Sequence, residues 1–128
     1  MAERIYFLQG NNTYLLNRMA REIVDGLDLD PFNVTSYDLE DASVHDVLED
    51  LMTVSFFGSG KAVTMKSAHL LDKLGPEDAK AFSSYLEKPN PDAVLVIMNK
   101  GPMPSSAPIN KAIKTYAYIE KVGDIPPS

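Results

Sequence analysis

The chain has no cysteine and no tryptophan, and only two of its 128 residues are histidine. Disulfides and thiolate metal sites are therefore excluded, and a reducing, cytoplasmic setting is expected. His45 and His69 each stand alone near a helix end and read as ordinary surface or half-buried side chains, so no metal site is expected. No apolar run approaches the ~20 residues a membrane span requires. The opening MAERIYFLQG passes almost at once into a strand-like segment, so no secretory leader is expected. Cationic charge is scarce in the first half. Residues 1–60 carry 3 Lys or Arg against 11 Asp or Glu; residues 61–128 carry 9 against 7. The net charge of −6 argues against a domain that grips nucleic acid by itself, because phosphate neutralisation needs a cationic face. A neighbouring chain could supply one.

What is present is an ordinary globular balance, 45% apolar and 23% charged, in a length that suits one domain. Ile5-Tyr6-Phe7-Leu8, ending at Gly10, reads as a strand buried on both faces. Asn11, Asn12 and Thr13 offer caps for a helix whose buried stripe is Leu15, Leu16, Met19, Ile23 and Leu27, ended by Gly26 and the Asp28–Pro31 stretch. Phe32 to Tyr37 reads as a second strand. Ser43 with Asp46 forms a capping box before Val44, Val47, Leu48, Leu51 and Met52 at helical spacing. After the turn 53–60, Ala62 to Met65 is a third strand. Pro76, Glu77 and Asp78 open a helix with stripe Ala79, Phe82 and Leu86. Ala93 to Met98, with no alternation, is a central strand. A Pro- and Ser-rich loop, a helix from Ile109 to Tyr116 and a strand from Tyr118 to Val122 complete the pattern. Residues 123–128 read as a tail or the start of a linker.

The order βαβαβαβαβ predicts an α/β fold, a five-stranded parallel sheet sandwiched by helices. Ligands of such folds sit at the carboxyl ends of the strands, which directs attention to Gly10–Asn17. A working phosphate loop, GxxxxGK[ST], needs a second glycine, a lysine and a hydroxyl. Counted from Gly10, those positions hold Leu15, Leu16 and Asn17. Backbone amides could still meet an anion there, but triphosphate hydrolysis is not expected. Gly58-Ser59-Gly60-Lys61 imitates half of such a loop, yet it leads into a strand. Asp38, Glu40 and Asp41 could hold Mg²⁺, though solvated acids before a helix cap are the simpler reading. A receiver-type acceptor domain would want acids where Gln9-Gly10 and Lys66-Ser67 stand. No nucleophile motif is present, so no catalytic residue is assigned.

Phe56-Phe57 beside Gly58 and Gly60 admits two readings. Either the rings close the core under the second helix, or they form an exposed anchor for a partner. A small nucleotide-binding enzyme using the Gly10 turn is the rival from another class.

Four stretches together carry a family resemblance. Ile5-Tyr6-Phe7-Leu8-Gln9-Gly10 with Tyr14-Leu15-Leu16 is the first, and Asn33-Val34 through Tyr37-Asp38 the second. The third runs from Met52 to Phe57 and on through Lys61-Ala62-Val63-Thr64-Met65. The fourth is Tyr85-Leu86-Glu87-Lys88-Pro89-Asn90-Pro91-Asp92 leading into Val94-Leu95-Val96-Ile97. In this order the chain resembles the N-terminal domain of the delta subunit of bacterial DNA polymerase III, the clamp-opening subunit of the clamp loader. The resemblance implies a degenerate AAA+ domain, residues 1–122, with a P-loop NTPase-like fold, no functional phosphate loop, no bound cofactor and no catalysis of its own. It implies that a hydrophobic pair, here Phe56-Phe57 with Met52 and Ser55 beside it, plugs the pocket of the β sliding clamp so that the ring can open onto primed DNA. ATP hydrolysis would belong to partner subunits. The family's lid and C-terminal collar domains have no counterpart in these residues, so other clamp-loader subunits are expected to bind through that C-terminal domain, and DNA only indirectly. The run Gly58-Ser59-Gly60 is looser than the charged segment usual after the aromatic pair.

Overall fold

β1 (Ile5–Gly10) lies between two parallel neighbours in a five-stranded sheet, in a computed structural model that describes residues 4–55 and 60–122. The remaining elements, in chain order, are α1 (Thr13–Gly26), a 3₁₀ turn (Pro31–Asn33), β2 (Val34–Asp38), α2 (Val44–Met52) and β3 (Lys61–Lys66). A 3₁₀ helix (Ala68–Lys73), α3 (Pro76–Glu87), β4 (Ala93–Lys100), α4 (Ala107–Tyr116) and β5 (Tyr118–Lys121) follow. The strand order is β2-β3-β4-β1-β5 and every pairing is parallel. The α/β fold expected from the alternation is the fold observed, including the central place of β4, whose residues Ala93 to Asn99 are all buried.

The pleat sends Ile5, Phe7, Val63, Met65, Leu95 and Ile97 to one face, where they join Val47, Leu51, Phe82, Leu86, Ile109 and Ile113 of α2, α3 and α4. Leu8, Val94, Val96 and Met98 go to the other face, covered by Leu16 and Ala20 of α1. Each such aliphatic side chain contributes roughly 1.5–3 kcal/mol on burial. The sheet is thus unevenly clad, with three α-helices on one face and α1 on the other.

Local chemistry sets the element ends. The capping box expected at α2 is present in both directions, Ser43 Oγ accepting from Asp46 N–H and the Asp46 carboxylate from Ser43 N–H, each at 3.2 Å. Two segments differ from the sequence reading. Pro31, Phe32 and Asn33 form a 3₁₀ turn, because the Asp30 carboxylate accepts the Phe32 N–H at 2.9 Å, and β2 begins only at Val34. Residues 68–73, with no periodicity to betray them, coil into a 3₁₀ helix that buries Ala68 and Leu71. At the end of α1, Gly26 is still helical, and the left-handed position falls on Asp28, at φ 53°.

Candidate functional site

The turn after β1 lies at the carboxyl edge of the sheet, and its glycine is explained by packing. A Cβ on Gly10 would collide with the backbone carbonyl of Val122. Val122 N–H donates to the Gln9 carbonyl at 2.7 Å, and Gly101 N–H to the Gly10 carbonyl at 3.2 Å. The chains leaving β4 and β5 therefore close on the end of β1, and only a bare backbone permits it.

The start of α1 is already occupied. Asn12 Oδ1 accepts Leu15 N–H at 3.1 Å, and the Asn12 carbonyl accepts Leu16 N–H at 3.0 Å. One amide that a phosphate would need is thereby taken by the helix's own cap. Leu16, where the lysine of a phosphate loop would stand, is 3% exposed and packs under the sheet. Leu15 corrects the sequence reading: it is half-buried and lies outside the cluster that α1 packs against the sheet. Asn17 lines a cavity of about 220 Å³ beside Thr13, Lys66 and Lys100, below the ~300–1,000 Å³ typical of small-molecule sites.

The acids after β2 serve the backbone. Asp38 accepts from Ser67 Oγ at 2.7 Å and from Glu40 N–H at 2.9 Å, and these bonds hold its carboxyl below the ordinary range. Ser67 is itself in the left-handed region, at φ 63°, so its bond to Asp38 steadies a conformation that L-residues avoid. No group of three or more metal-ligating side chains exists among the described residues.

The second candidate region is the amino edge of the sheet, where α2 turns back into β3. Phe56 and Phe57 lie outside the described residues, as do Gly58 and Ser59. The flanking residues are described. Met52 is 63% exposed and Val54 83% exposed. Ser55 is buried, and its Oγ accepts Gly60 N–H at 3.0 Å, bringing the two ends of the intervening segment together. Gly60 is required by its φ of 95°. Phe32, 77% exposed, stands at the same edge, two residues before the Val34–Ala62 pairing.

Beneath this edge is a polar cluster that the sequence reading missed. Lys61, the first residue of β3, points under α2 with 6% exposure. Its Nζ donates to the Asp50 carboxylate, to the Asp50 carbonyl at 2.5 Å and to the Thr53 carbonyl at 3.3 Å. Tyr37 Oη donates to the other Asp50 oxygen at 2.7 Å, and Asn90 Nδ2 to the Leu51 carbonyl at 2.8 Å. The ammonium and the Asn90 amide thus reach three carbonyls at the helix end, of which that of Asp50 also accepts the Thr53 N–H at 3.0 Å, and the cation also suits the negative end of the helix dipole. Burial raises the Asp50 carboxyl, but hydrogen bonds from Lys61 and Tyr37 outweigh it and hold the group below the carboxylate range. Burial and the Asp50 carboxylate push the Tyr37 phenol up to about 12. The available signal was a lysine opening an otherwise apolar strand, with an acid between Val47 and Leu51 on the preceding helix.

The family described as DNA polymerase III, delta subunit, matches residues 6–120. DNA polymerase III subunit delta of Bacillus subtilis (strain 168) is 26% identical over 132 aligned residues, covering 94% of this chain and 38% of that protein. Among solved structures, the DNA clamp loader delta protein of Bacillus subtilis superposes with a TM-score of 0.75 at 22% identity, over 94% of this chain and 38% of that one. A DNA polymerase III gamma subunit-related protein of Thermotoga maritima does so with a TM-score of 0.67 at 15% identity, over 97% and 42%. The chain therefore spans less than half the length of these relatives, and the structural likenesses speak for the fold. With one family match running from β1 through β5, the chain belongs to the DNA polymerase III delta-subunit family.

Proposed function

We propose that this chain is the clamp-engaging N-terminal module of a clamp loader, residues 1–122 acting as a degenerate AAA+-like domain that binds the β sliding clamp in the cytoplasm and helps hold the ring open for loading onto primed DNA. The observation that carries the reading is the pairing of family membership with a turn stripped of phosphate chemistry. Leu16 is core, the Leu15 amide is capped and Gly10 is committed to packing. A domain of this family without a nucleotide site of its own acts through its surfaces.

The surface we assign is the amino edge, with Phe56 and Phe57 as anchors. Exposed Met52 and Val54 flank them, while buried Ser55 closes the loop rather than facing the partner. Two phenylalanines seated in a pocket would contribute roughly 3–6 kcal/mol, about 10²–10⁴ in Kd. Other loader subunits would be engaged by the parts of the family's length beyond this chain, and DNA through them.

Binding of the chain to the β sliding clamp of its source organism, measured by surface plasmon resonance, tests the reading. Saturable binding that is lost on Phe56→Ala with Phe57→Ala supports it; unchanged binding removes the anchor assignment. A saturable rise in melting temperature with ATP and Mg²⁺ would favour a nucleotide-dependent enzyme instead.

A further inference from the structure

We propose that the carboxyl edge of the sheet holds a phosphate site, in which Lys66 and Lys100, with the Thr13 hydroxyl and the Asn17 amide, bind a small free polyanion such as inorganic phosphate or pyrophosphate. The site lies at the end of the sheet opposite Met52 and Val54, and it needs neither Gly10 nor the capped Leu15 amide.

Lys66 is the last residue of β3 and Lys100 the last of β4, and the two strands pair side by side. The pleat sends Met65 to the face of α2, α3 and α4, so Lys66 lies on the face of α1. Met98 lies there too, and so does Lys100 two residues on. Both lysines line the cavity of about 220 Å³ beside α1, together with His69 and with Thr13 and Asn17, one turn apart on that helix. None of the ion pairs among the described residues involves Lys66, Lys100 or His69. Asp38, the one acid lining the cavity among the described residues, already accepts from Ser67 Oγ and the Glu40 N–H. Two ammonium groups thus share a recess with one engaged carboxylate, a local surplus of positive charge in a chain of net charge −6. Buried Leu16 and Met98 supply an apolar wall. A recess lined by one sign of charge over low-dielectric walls concentrates the field on an entering anion, and the carboxyl ends of the strands are where open α/β sheets take up ligands.

Size and charge set the class of ligand. The volume falls short of the ~300 Å³ of ordinary small-molecule sites, which suits phosphate groups but leaves a nucleoside no seat. An extended polyanion such as nucleic acid would meet the acidic remainder of the chain. Lysine meets phosphate as a point charge, and the hydroxyl and amide add neutral donors. ATP with Mg²⁺ is not expected to bind, because its metal already neutralises the phosphates that the lysines would meet.

Isothermal titration calorimetry with pyrophosphate, in metal-free buffer at constant ionic strength, tests the site, and amide chemical shifts locate it. Saturable binding is expected, with the shifts concentrated at Thr13, Asn17, Lys66 and Lys100. Lys66→Gln and Lys100→Gln should each weaken binding about tenfold, since each removes a charge-assisted hydrogen bond. Both side chains are exposed, so each melting temperature should stay at the parent's. Lys111→Gln with Lys114→Gln, exposed on α4 across the sheet, should leave pyrophosphate binding at parental strength. Absence of saturation in the parent, parental affinity in Lys66→Gln/Lys100→Gln, or an equal loss in the α4 variant overturns the proposal. Tighter binding of a thymidine oligonucleotide than of pyrophosphate overturns the ligand class. Clamp binding should be unchanged in Lys66→Gln/Lys100→Gln, which keeps this outcome separate from that of the clamp reading.

Discussion

The carbonyl of Val122 occupies the space into which a side chain on Gly10 would project, so the end of β1 and the exit of β5 meet backbone to backbone. The contact explains why a glycine stands at a phosphate-loop position in a chain that lacks the other residues of such a loop. Gly10→Ala must displace main chain, not a flexible side chain. It should cost on the order of 1–3 kcal/mol or more, read as a lower urea midpoint with unchanged slope. A neutral result would mean the strand ends separate easily.

Restoring the consensus residues should not restore a nucleotide site. Leu15→Gly with Leu16→Lys supplies the second glycine and the lysine, but it also places an ammonium where Leu16 is 3% exposed in the α1 core. Loss of a buried leucine costs about 2–5 kcal/mol, before any penalty for the charge. The expected outcome is a less stable protein with no saturable thermal shift from ATP and Mg²⁺.

At the end of α1, Asp28 holds the left-handed position that glycine usually fills. Asp28→Val puts a β-branched residue at φ 53° and should lower stability by about 1–2 kcal/mol. Asp28→Gly should stay within about 0.5 kcal/mol of the parent, because relief at the turn is offset by a freer unfolded chain. Urea unfolding of both variants separates the two effects.

What could be read from the sequence follows how local the cause is. The capping box at Ser43, the unbroken apolar run of β4 and the proline start of α3 are short-range signals, and each appears where expected. The missing phosphate chemistry at Leu15, Leu16 and Asn17 was equally legible, being a matter of residue type at fixed spacing. The 3₁₀ turn at Phe32 turns on one hydrogen bond from the Phe32 N–H to Asp30, which competes with strand propensity and leaves no periodic trace. The partners of Lys61 left no trace in the sequence, because Asp50 and Thr53 meet it only once α2 folds back over β3. The glycine at position 10 was noticed for the wrong reason, since its true neighbour lies at the far end of the chain.

Breaking the Lys61–Asp50 pair from one side is expected to be far costlier than removing both members. Lys61→Met alone leaves a carboxylate in a largely buried position, with only 15% side-chain exposure, and should cost about 3–5 kcal/mol. Lys61→Met with Asp50→Leu should recover most of that loss. Thermal and urea unfolding of the single and double variants measure the difference, and equal losses would show that the charge pair is not the unit that matters.

The same cluster should shape stability at both ends of the pH range. Asp50 is held below its unfolded value of about 3.9, so its contribution is present above about pH 4 and is lost as pH falls through the folded-state value. Asp38 and Asp72 are lowered by their own hydrogen bonds and add to the acid limb. Tyr37 is raised from 10.0 to about 12, so its contribution is present below about pH 10 and is lost as pH rises through about 12. Lys61→Met/Asp50→Leu removes the Asp50 share of the acid limb and leaves the shares of Asp38 and Asp72. It also removes the carboxylate that helps hold the Tyr37 proton, so the Tyr37 phenol should ionise nearer 10, with burial and the charges of Asp46 and Glu49 still raising it. Urea unfolding across pH and an alkaline absorbance titration, with Tyr37→Phe to assign the phenol, check both limbs. An acid limb unchanged in the double variant would place the proton uptake elsewhere, at the strand-end and loop carboxylates rather than under α2.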